Sequence, residues 1–323
     1  MAKLKDVAAK AGVSVATVSY VLNDSGSVSR AVRNKVLAAV RALRYTPNRS
    51  AQAMRTGRTK TLGLVLPDLL NPLFPEMAQT IENTARKLGY STFLVDTKLS
   101  VDSERQGIES LLRQGVEGVI WFPQSQQNTA EAASKRVPIV VLDRELPGFD
   151  VVRPDHEAGG RLQAEYLLQK GHKRVGLLSG PMSVDNMRLR RDAFYESFTA
   201  EGDIIWELEN PFSIEISKQN KEQLMRDRPS AVVAGNDIIA VGVIKTLTEA
   251  GIAVPGQISV IGFDNISWCE VVTPTLTTIR MRLQEIAADA LRLLMQRINS
   301  PDEPERKVII GVELVPRDSV VQV

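Results

Sequence analysis

Polar and aromatic side chains that could bind a small molecule lie at the ends of several short apolar runs. They combine carboxylates, amides, one arginine and one aromatic ring, and they are Asp68, Asn71, Trp121, Asp143, Arg190, Asn236 and Asp264. Charged side chains bind paired hydroxyls, and an aromatic ring covers apolar C–H surface. Together these types are typical of a site for a polyhydroxylated molecule, whereas any single Asp or Asn among them could equally cap a loop.

The sequence offers little that could support catalysis. It contains no G-x-G-x-x-G or Walker-type loop and no G-x-S-x-G elbow. Cys269 is the only cysteine, which excludes an internal disulfide and a thiolate zinc site, and the two histidines, His156 and His172, lie on different segments. Asp237 and Asp264 could form a carboxylate pair, but a sugar site uses such residues for binding alone. We expect a protein that is not an enzyme and that has no metal and no cofactor.

The apolar runs predict the elements that position these side chains. The runs are TLGLVLP, STFLVD, EGVIWFP, PIVVLD, RVGLLSG, SAVVAG and ISVIGF, with VIIGVELVP near the C-terminus, and helical patterns alternate with them. The helical patterns lie near residues 75–89, 103–114, 156–170, 186–200, 215–226, 238–250 and 282–298. This alternation is typical of parallel sheets covered on both faces, in which ligands bind beyond the carboxyl ends of the strands. We expect two doubly wound lobes, at about 61–155 and 156–285, completed by a C-terminal return over 286–323.

The first 46 residues predict a separate helical domain. Apolar positions recur at helical spacing from Leu4 to Ala11, Gly12 ends this helix, and Ser14 and Ser29 cap two further helices. Helix, tight turn and helix is the pattern of the helix-turn-helix module, whose second helix enters the major groove of DNA. A three-helix adaptor domain without nucleic acid would share the pattern.

The outer face of the second helix predicts which side chains contact DNA. Val15 and Ala16 could contact thymine methyl groups, and the Tyr20 hydroxyl could contact a base edge or a phosphate. Short hydrogen-bonding side chains on the same segment suit phosphates. These side chains are Ser14, Thr17, Ser19 and Asn23. We add Ser29, the residue that caps the third helix.

The length of 323 residues suits two or three domains. Charge is distributed unevenly along this chain. Residues 1–60 hold 12 Lys and Arg against 2 Asp and Glu, a net of +10, whereas the rest of the chain holds 28 against 36. A cationic head on an anionic body favours a polyanionic partner for the head.

No run approaches the roughly 18 apolar residues of a membrane span, and the N-terminus lacks the apolar core of a secretory signal. We therefore expect a cytoplasmic protein without a membrane partner.

Two stretches resemble one known family. LKDVAAKAGVSVATVSYVLN and VSRAVRNKVLAAVRALRYTPNRSAQAMRTGRTKTLGLVLPD are similar to the lactose-repressor/galactose-repressor (LacI/GalR) family of bacterial transcription regulators, and the similarity continues through most of the chain. The resemblance implies an all-α helix-turn-helix head over 1–46, a hinge helix or linker over 47–60 and an α/β body over 61–323. The two parallel-sheet lobes of this body would be like those of periplasmic sugar-binding proteins.

The resemblance also implies DNA contacts in the hinge. Paired hinge helices of a dimer insert an apolar side chain into the minor groove, and Met54 falls on this wedge position, where leucine is expected. The other hinge residues that the resemblance adds to the DNA contacts are Asn48, Arg49, Ala51 and Arg55.

For the body, the resemblance assigns roles to several of the candidate residues. Arg190 takes the place of the arginine that grips the effector, and Asn236 and Asp264 match polar ligand positions. The resemblance also matches aromatic or bulky positions that line the effector pocket, and the residues at these positions are Phe74, Trp121 and Phe212.

These features predict a homodimeric repressor whose two heads bind the half-sites of a pseudo-palindromic operator. A small-molecule effector in the cleft between the lobes would change the affinity for DNA, as inducer or as corepressor. A sugar or sugar derivative is the preferred effector, with a purine or nucleoside second. A periplasmic sugar receptor would share the two-lobed body, but the cationic head argues against it.

Overall fold

A computed structural model describes residues 2–22, 26–45, 53, 57–124 and 129–323. The chain divides into two compact units, Met1–Thr59 and Lys60–Val323. The first unit contains three described helices, α1 (Leu4–Ala11), α2 (Val15–Leu22) and α3 (Arg30–Ala42).

The helices of the first unit enclose a small apolar core. Its buried side chains recur at helical spacing and are Val7, Ala8, Ala11, Val18, Val21, Val36 and Ala39. α1 ends at Gly12, whose φ of 66° is a left-handed conformation that glycine adopts without strain. The Ser29 hydroxyl accepts a hydrogen bond from the Val32 N–H and caps α3. This is the predicted helix, tight turn and helix with a third helix that braces the pair.

The second unit alternates strands and helices from its start. Its first part contains β1 (Thr61–Leu66), α4 (Leu73–Lys87), β2 (Ser91–Asp96), α5 (Val101–Arg113), β3 (Gly118–Trp121), α6 (Glu131–Ser134), β4 (Ile139–Leu142) and β5 (Asp150–Pro154). Its second part contains α7 (His156–Gln169), β6 (Arg174–Ser179), α8 (Asp185–Phe198), β7 (Asp203–Glu209), α9 (Lys218–Arg226), β8 (Ala231–Ala234), α10 (Asp237–Glu249) and β9 (Ser259–Ile261). The chain then forms a short 3-10 helix (Ser267–Glu270), β10 (Thr278–Met281), α11 (Leu283–Asn299), β11 (Lys307–Ile310) and β12 (Val312–Val315).

Two parallel sheets form the two predicted lobes. The sheet of lobe one has the order β11-β5-β4-β3-β1-β2, and the sheet of lobe two has the order β7-β6-β8-β9. All pairs within both sheets are parallel, and β10 and β12 form a separate antiparallel ribbon. The central strands β3, β4 and β8 are buried along their whole length, because helices cover both faces of each sheet.

The C-terminal return is more divided than the sequence pattern indicates. The run VIIGVELVP reads as one strand, but Gly311 separates β11, which extends the sheet of lobe one, from β12, which pairs with β10. The preceding helix α11 packs on α4 and on β3, β4 and β5 of lobe one. The chain therefore crosses between the lobes more than once. β5, β7 and β10 are also absent from the predicted strands. β5 carries Arg153 and Pro154, β7 is a half-exposed edge strand, and the short β10 carries Arg280.

Candidate functional site

A cavity of about 680 Å³, including its solvent-open mouth, lies between the two lobes of the second unit. Residues that follow β1, β3 and β4 line it from lobe one, and residues near the ends of β6, β8 and β9 line it from lobe two. The lining contains eight of the nine predicted residues, which are Asp68, Asn71, Phe74, Asp143, Arg190, Phe212, Asn236 and Asp264. The strand ends thus bring these side chains together, as expected for parallel sheets.

Trp121 is the predicted residue that does not reach the cavity, and its assignment to the lining is wrong. The Trp121 side chain is fully buried in the core of lobe one, where it packs edge-on against Phe149 with ring centroids 5.8 Å apart. Successive side chains of an extended chain point to opposite faces. The next residue, Phe122, therefore lines the cavity instead and packs edge-on against Phe74 at 5.6 Å.

Arg190 is held in place by contacts within the protein. It projects from α8 and is only 6% exposed. Its Nε donates to Nδ1 of His156 (3.2 Å), its Nη1 donates to the Gly235 carbonyl (2.8 Å) and its Nη2 donates to Oδ1 of Asp264 (3.2 Å). The guanidinium also lies 3.6 Å from the ring centre of Phe263, a cation–π contact. These four contacts fix the direction of the positive charge, which is what a selective site requires.

His156 is absent from the predicted set, although it connects Arg190 to Asp143. Because the Arg190 Nε–H can only donate, His156 accepts at Nδ1 and carries its proton on Nε2, which lies 3.1 Å from Oδ1 of Asp143. Burial lowers the pKa of His156 against the pull of Asp143 and keeps the imidazole neutral at neutral pH. The sequence shows no signal for this role, because it depends on β5, which places His156 at the start of α7.

Asp143 connects the two lobes. It follows β4 in lobe one, and its carboxylate contacts His156 and the Asn186 amide, which both belong to lobe two. Burial alone would raise the pKa of Asp143, but His156, Arg190 and Arg144 outweigh burial and hold it at about 2. Its φ of 71° is unusual for a residue other than glycine, and such backbone strain is often found at functional sites.

Replacing Asp143 by Asn should remove a pH-dependent part of the stability. The folded pKa of about 2 lies below the ordinary value of 3.8, so the ionised carboxylate stabilises the fold above that value and the stabilisation is lost as the pH falls through about 2. Of the roughly 2 kcal/mol involved, about 1 kcal/mol should be lost by pH 3. Urea unfolding at pH 7 and pH 3 measures this difference. Wild type should lose more unfolding free energy than Asp143→Asn, and equal losses would contradict the interpretation.

Asp264 supplies a carboxyl group to the cavity from lobe two. Burial, together with the charges of Asp237 and Asp143, raises its pKa against the pull of Arg190. Its φ of 117° is again unusual for a residue with a side chain. Because Asp264 lines the cavity, a ligand bound there can contact its carboxyl group, whose Oδ1 also accepts a hydrogen bond from Nη2 of Arg190.

Three of the predicted residues also cap local structure. Oδ1 of Asp68, Asn71 and Asn236 accepts the N–H of Leu70, Leu73 and Ile239, respectively. The alternative that these residues cap loops is therefore correct for their oxygens. The caps leave the NH₂ groups of the two asparagines for another partner.

Asp237, next to Asn236, does not form a carboxylate pair with Asp264 in the cavity. Its Oδ1 accepts a hydrogen bond from the Thr278 hydroxyl (2.5 Å), and its Oδ2 accepts from the Ile266 N–H (3.0 Å) and from Sγ of Cys269 (3.1 Å). The side chain is fully buried, and burial raises its pKa. Asp237 therefore fastens the start of α10 to the segment that leads to β10.

The first unit presents the predicted DNA-contacting face. Ser14, Val15 and Ala16 are exposed at the start of α2, and Tyr20 is 51% exposed one turn later. The Ser14 hydroxyl accepts the Thr17 N–H (3.0 Å) and so caps α2.

The other predicted DNA contacts are only partly covered by the described residues. Ser19 lies on α2, and Ser29 is exposed at the cap of α3. The predicted contacts that lie outside the described residues are Asn23, Asn48, Arg49, Ala51, Met54 and Arg55.

Within the described residues, no group of three or more His, Cys, Asp or Glu side chains is arranged to hold a metal ion. None of the described helices is long and apolar enough to cross a membrane.

Comparison with known proteins gives two family matches. Residues 3–48 match the model of "Bacterial regulatory proteins, lacI family", and residues 164–320 match a periplasmic binding protein-like domain. These matches cover the helix-turn-helix unit and most of lobe two.

Relatives and solved structures match over almost the whole chain. The HTH-type transcriptional repressor PurR of Photobacterium profundum is 32% identical, over 99% of this chain and 99% of the relative. The ribose operon repressor of Escherichia coli is also 32% identical, over 99% of this chain and 100% of the relative. A crystal structure of the lac repressor dimer bound to operator and the anti-inducer ONPF is 30% identical, with a TM-score of 0.84 over 99% of both chains.

Proposed function

The chain belongs to the LacI family of bacterial regulatory proteins, and from this premise we propose that a small molecule bound between its lobes sets its affinity for an operator. The chain is a DNA-binding transcriptional regulator, and we assign it the role of a repressor. The observation that carries the proposal is the cavity, which holds an oriented Arg190–Asp264 pair in the same chain as a helix-turn-helix head. Because its proposed target is operator DNA, we assign the protein to the cytoplasm.

A sugar or sugar derivative fits the lining of the cavity best. Asp264, Asn236 and Arg190 supply hydrogen-bond partners for hydroxyl groups, and the rings of Phe74 and Phe212 supply apolar surface. This proportion of charged and amide groups to aromatic rings favours a polyhydroxylated ligand over a purine. The ribose operon repressor among the relatives supports the same preference.

We assign the chain to a homodimer, because a two-fold operator requires a two-fold protein. The lac repressor was crystallised with its operator as a dimer. In this chain β2 is the edge strand of the sheet of lobe one, and it carries the exposed side chains of Phe93 and Leu94. Leu70, in the loop before α4, is exposed as well, and so is Leu99, in the loop after β2. Exposed apolar side chains of this size are typical of surfaces that a partner covers, and we propose that a second copy covers them.

Control by the ligand follows from the contacts between the lobes. The Asp143 carboxylate contacts His156 and Asn186 across the cavity, so a ligand that binds there competes with these contacts or adds to them. A ligand that binds one arrangement of the lobes better than another shifts the population toward it. By linkage, the factor by which a bound ligand changes the affinity for the operator equals the factor by which the bound operator changes the affinity for the ligand.

Operator affinity should fall steeply with salt. The first 60 residues carry 12 Lys and Arg against 2 Asp and Glu, and each phosphate contact releases counterions. With six or more phosphate contacts per dimer, affinity should fall by about 10³-fold between 50 and 200 mM salt. Fluorescence anisotropy with a duplex selected from a randomised pool measures the slope. Lys135→Gln, a substitution on the exposed surface of lobe one, should leave the slope unchanged, whereas a flat curve for wild type would contradict DNA binding by the head.

A further inference from the structure

Arg144 is a buried cation that lines the cavity and, in the part of the chain that the structure describes, contacts no carboxylate. It directly follows Asp143 and is 9% exposed. Its Nη1 donates to the Gln124 carbonyl (2.9 Å). Among the described residues no carboxylate oxygen lies within 4.0 Å of its guanidinium. The segment after Gln124 reads SQQN over residues 125–128 and contains no acidic residue.

The other buried arginines of the described chain differ from Arg144 in this respect. Arg153 contacts the carboxylates of Glu145 (2.8 Å) and Glu157 (2.9 Å), and Arg190 contacts Asp264 (3.2 Å). Two acidic residues flank Arg144 in sequence, and both have other partners: Asp143 contacts His156 and Asn186, and Glu145 contacts Arg153.

A buried guanidinium without a carboxylate contact is costly, because a buried charge loses its hydration. Burial lowers the pKa of Arg144 against the pull of Asp143 and Glu104, and the nearby Arg188 lowers it further. The fold therefore keeps a positive charge in the cavity wall that Asp143 and Glu104 attract but that no carboxylate of the described residues contacts. An anion that enters the cavity would neutralise it.

We propose that the effector carries an anionic group, a phosphate or a carboxylate, that binds Arg144. This inference rests on the proposed function and specifies its ligand. A guanidinium has five N–H donors in a planar fork that matches both anions, and the hydrogen bond to the Gln124 carbonyl leaves enough donors for a two-point contact. Arg190, Asn236 and Asp264 then bind the hydroxyl groups at the lobe-two side of the cavity. The ligand class is a sugar phosphate or a sugar acid, in preference to a neutral sugar.

The experiment compares anionic probes with their neutral counterparts on the full chain. Thermal shift and calorimetry are measured with inorganic phosphate against chloride at equal ionic strength, with ribose against ribose 5-phosphate, and with glucose against glucose 6-phosphate and gluconate. The variants are Arg144→Gln and, as a matched control for the lost charge, Arg161→Gln on the exposed face of α7. The phosphate and gluconate arms distinguish the two anions.

We expect the wild-type chain to bind at least one anionic probe more tightly than its neutral counterpart. Arg144→Gln should weaken that probe by about 10- to 100-fold, the effect of losing hydrogen bonds from a charged donor, and should leave any neutral sugar within about threefold. Arg161→Gln should behave like wild type. Because phosphate can also bind the cationic head, the comparison of wild type with Arg144→Gln is the decisive one.

The proposal is overturned if no probe, inorganic phosphate included, distinguishes wild type from Arg144→Gln. A uniform loss of melting temperature in every buffer would show that Arg144 only anchors the loop at Gln124. Operator binding by the same preparations tests the proposed function separately. A neutral sugar that binds both proteins equally and still changes operator affinity would reject the anionic ligand and retain the regulator.

Discussion

A chain that lacks residues 1–58 should lose all measurable affinity for the operator and still form a folded, ligand-binding body. The structure supports this expectation because Met1–Thr59 and Lys60–Val323 are separate compact units, each with its own apolar core. The deletion removes the exposed face of α2 and most of the positive charge that would contact phosphates. Gel shift and anisotropy measure DNA binding, and circular dichroism with a thermal melt checks the fold. Operator binding by the truncated chain would contradict the assignment of the head.

A point variant separates recognition from the general loss of charge. Tyr20→Ala removes a side chain that is 51% exposed and leaves the core residues Val18 and Val21 in place. It should reduce operator affinity by about 5- to 150-fold, the range of one specific base contact of 1–3 kcal/mol, with little change in melting temperature. Tyr20→Phe keeps the ring and loses the hydroxyl, and so tests which part of the side chain contacts DNA.

Arg190→Ala should abolish the response to ligand while operator binding persists. The substitution removes the donors that serve His156, Gly235 and Asp264 and the contact over Phe263. Ligand affinity should fall by at least about 100-fold, because the loss of a buried, charged hydrogen-bonding partner costs about 3 kcal/mol or more. The unfolding free energy of the body should fall by about 3 kcal/mol for the same reason.

Two further variants show whether this effect is specific to the cavity. Arg191→Ala removes the neighbouring arginine, which contacts Glu207 at the surface with 37% of its side chain exposed, and it should cost less than about 1 kcal/mol. If Arg190 and Asp264 act as a pair, Arg190→Ala combined with Asp264→Asn should cost less than the sum of the single variants. A ligand titration that Arg190→Ala leaves unchanged would reject its role as the effector-gripping residue.

The sequence was sufficient to predict the positions at strand ends. Asp68, Asp143 and Asp264 each follow an apolar run, and parallel sheets bring the carboxyl ends of their strands to one edge. The head could be read in the same way, because Gly12 and Ser14 are local signals for a helix end and a helix start.

Other parts of the site depend on contacts between distant residues, which local patterns do not show. Trp121 and Phe122 are adjacent, apolar and aromatic, and because β3 is buried on both faces, no alternation of polar residues indicates which ring faces the cavity. His156 reaches Arg190 only because α7 and α8 pack together. Arg144 reads as an ordinary charged loop residue until the sheet places it in the cavity wall.

The measurement that tests the central claim most directly is the operator affinity of one protein sample with and without a bound ligand. The ligand is the compound with the largest thermal shift, used at saturation with the selected duplex. For wild type, operator Kd should change by at least about fivefold, the lower end of a coupling free energy of 1–3 kcal/mol, and Arg190→Ala should show no change. A ligand that calorimetry shows to be bound, but that leaves the wild-type operator Kd unaltered, would contradict the claim that the cavity controls the head.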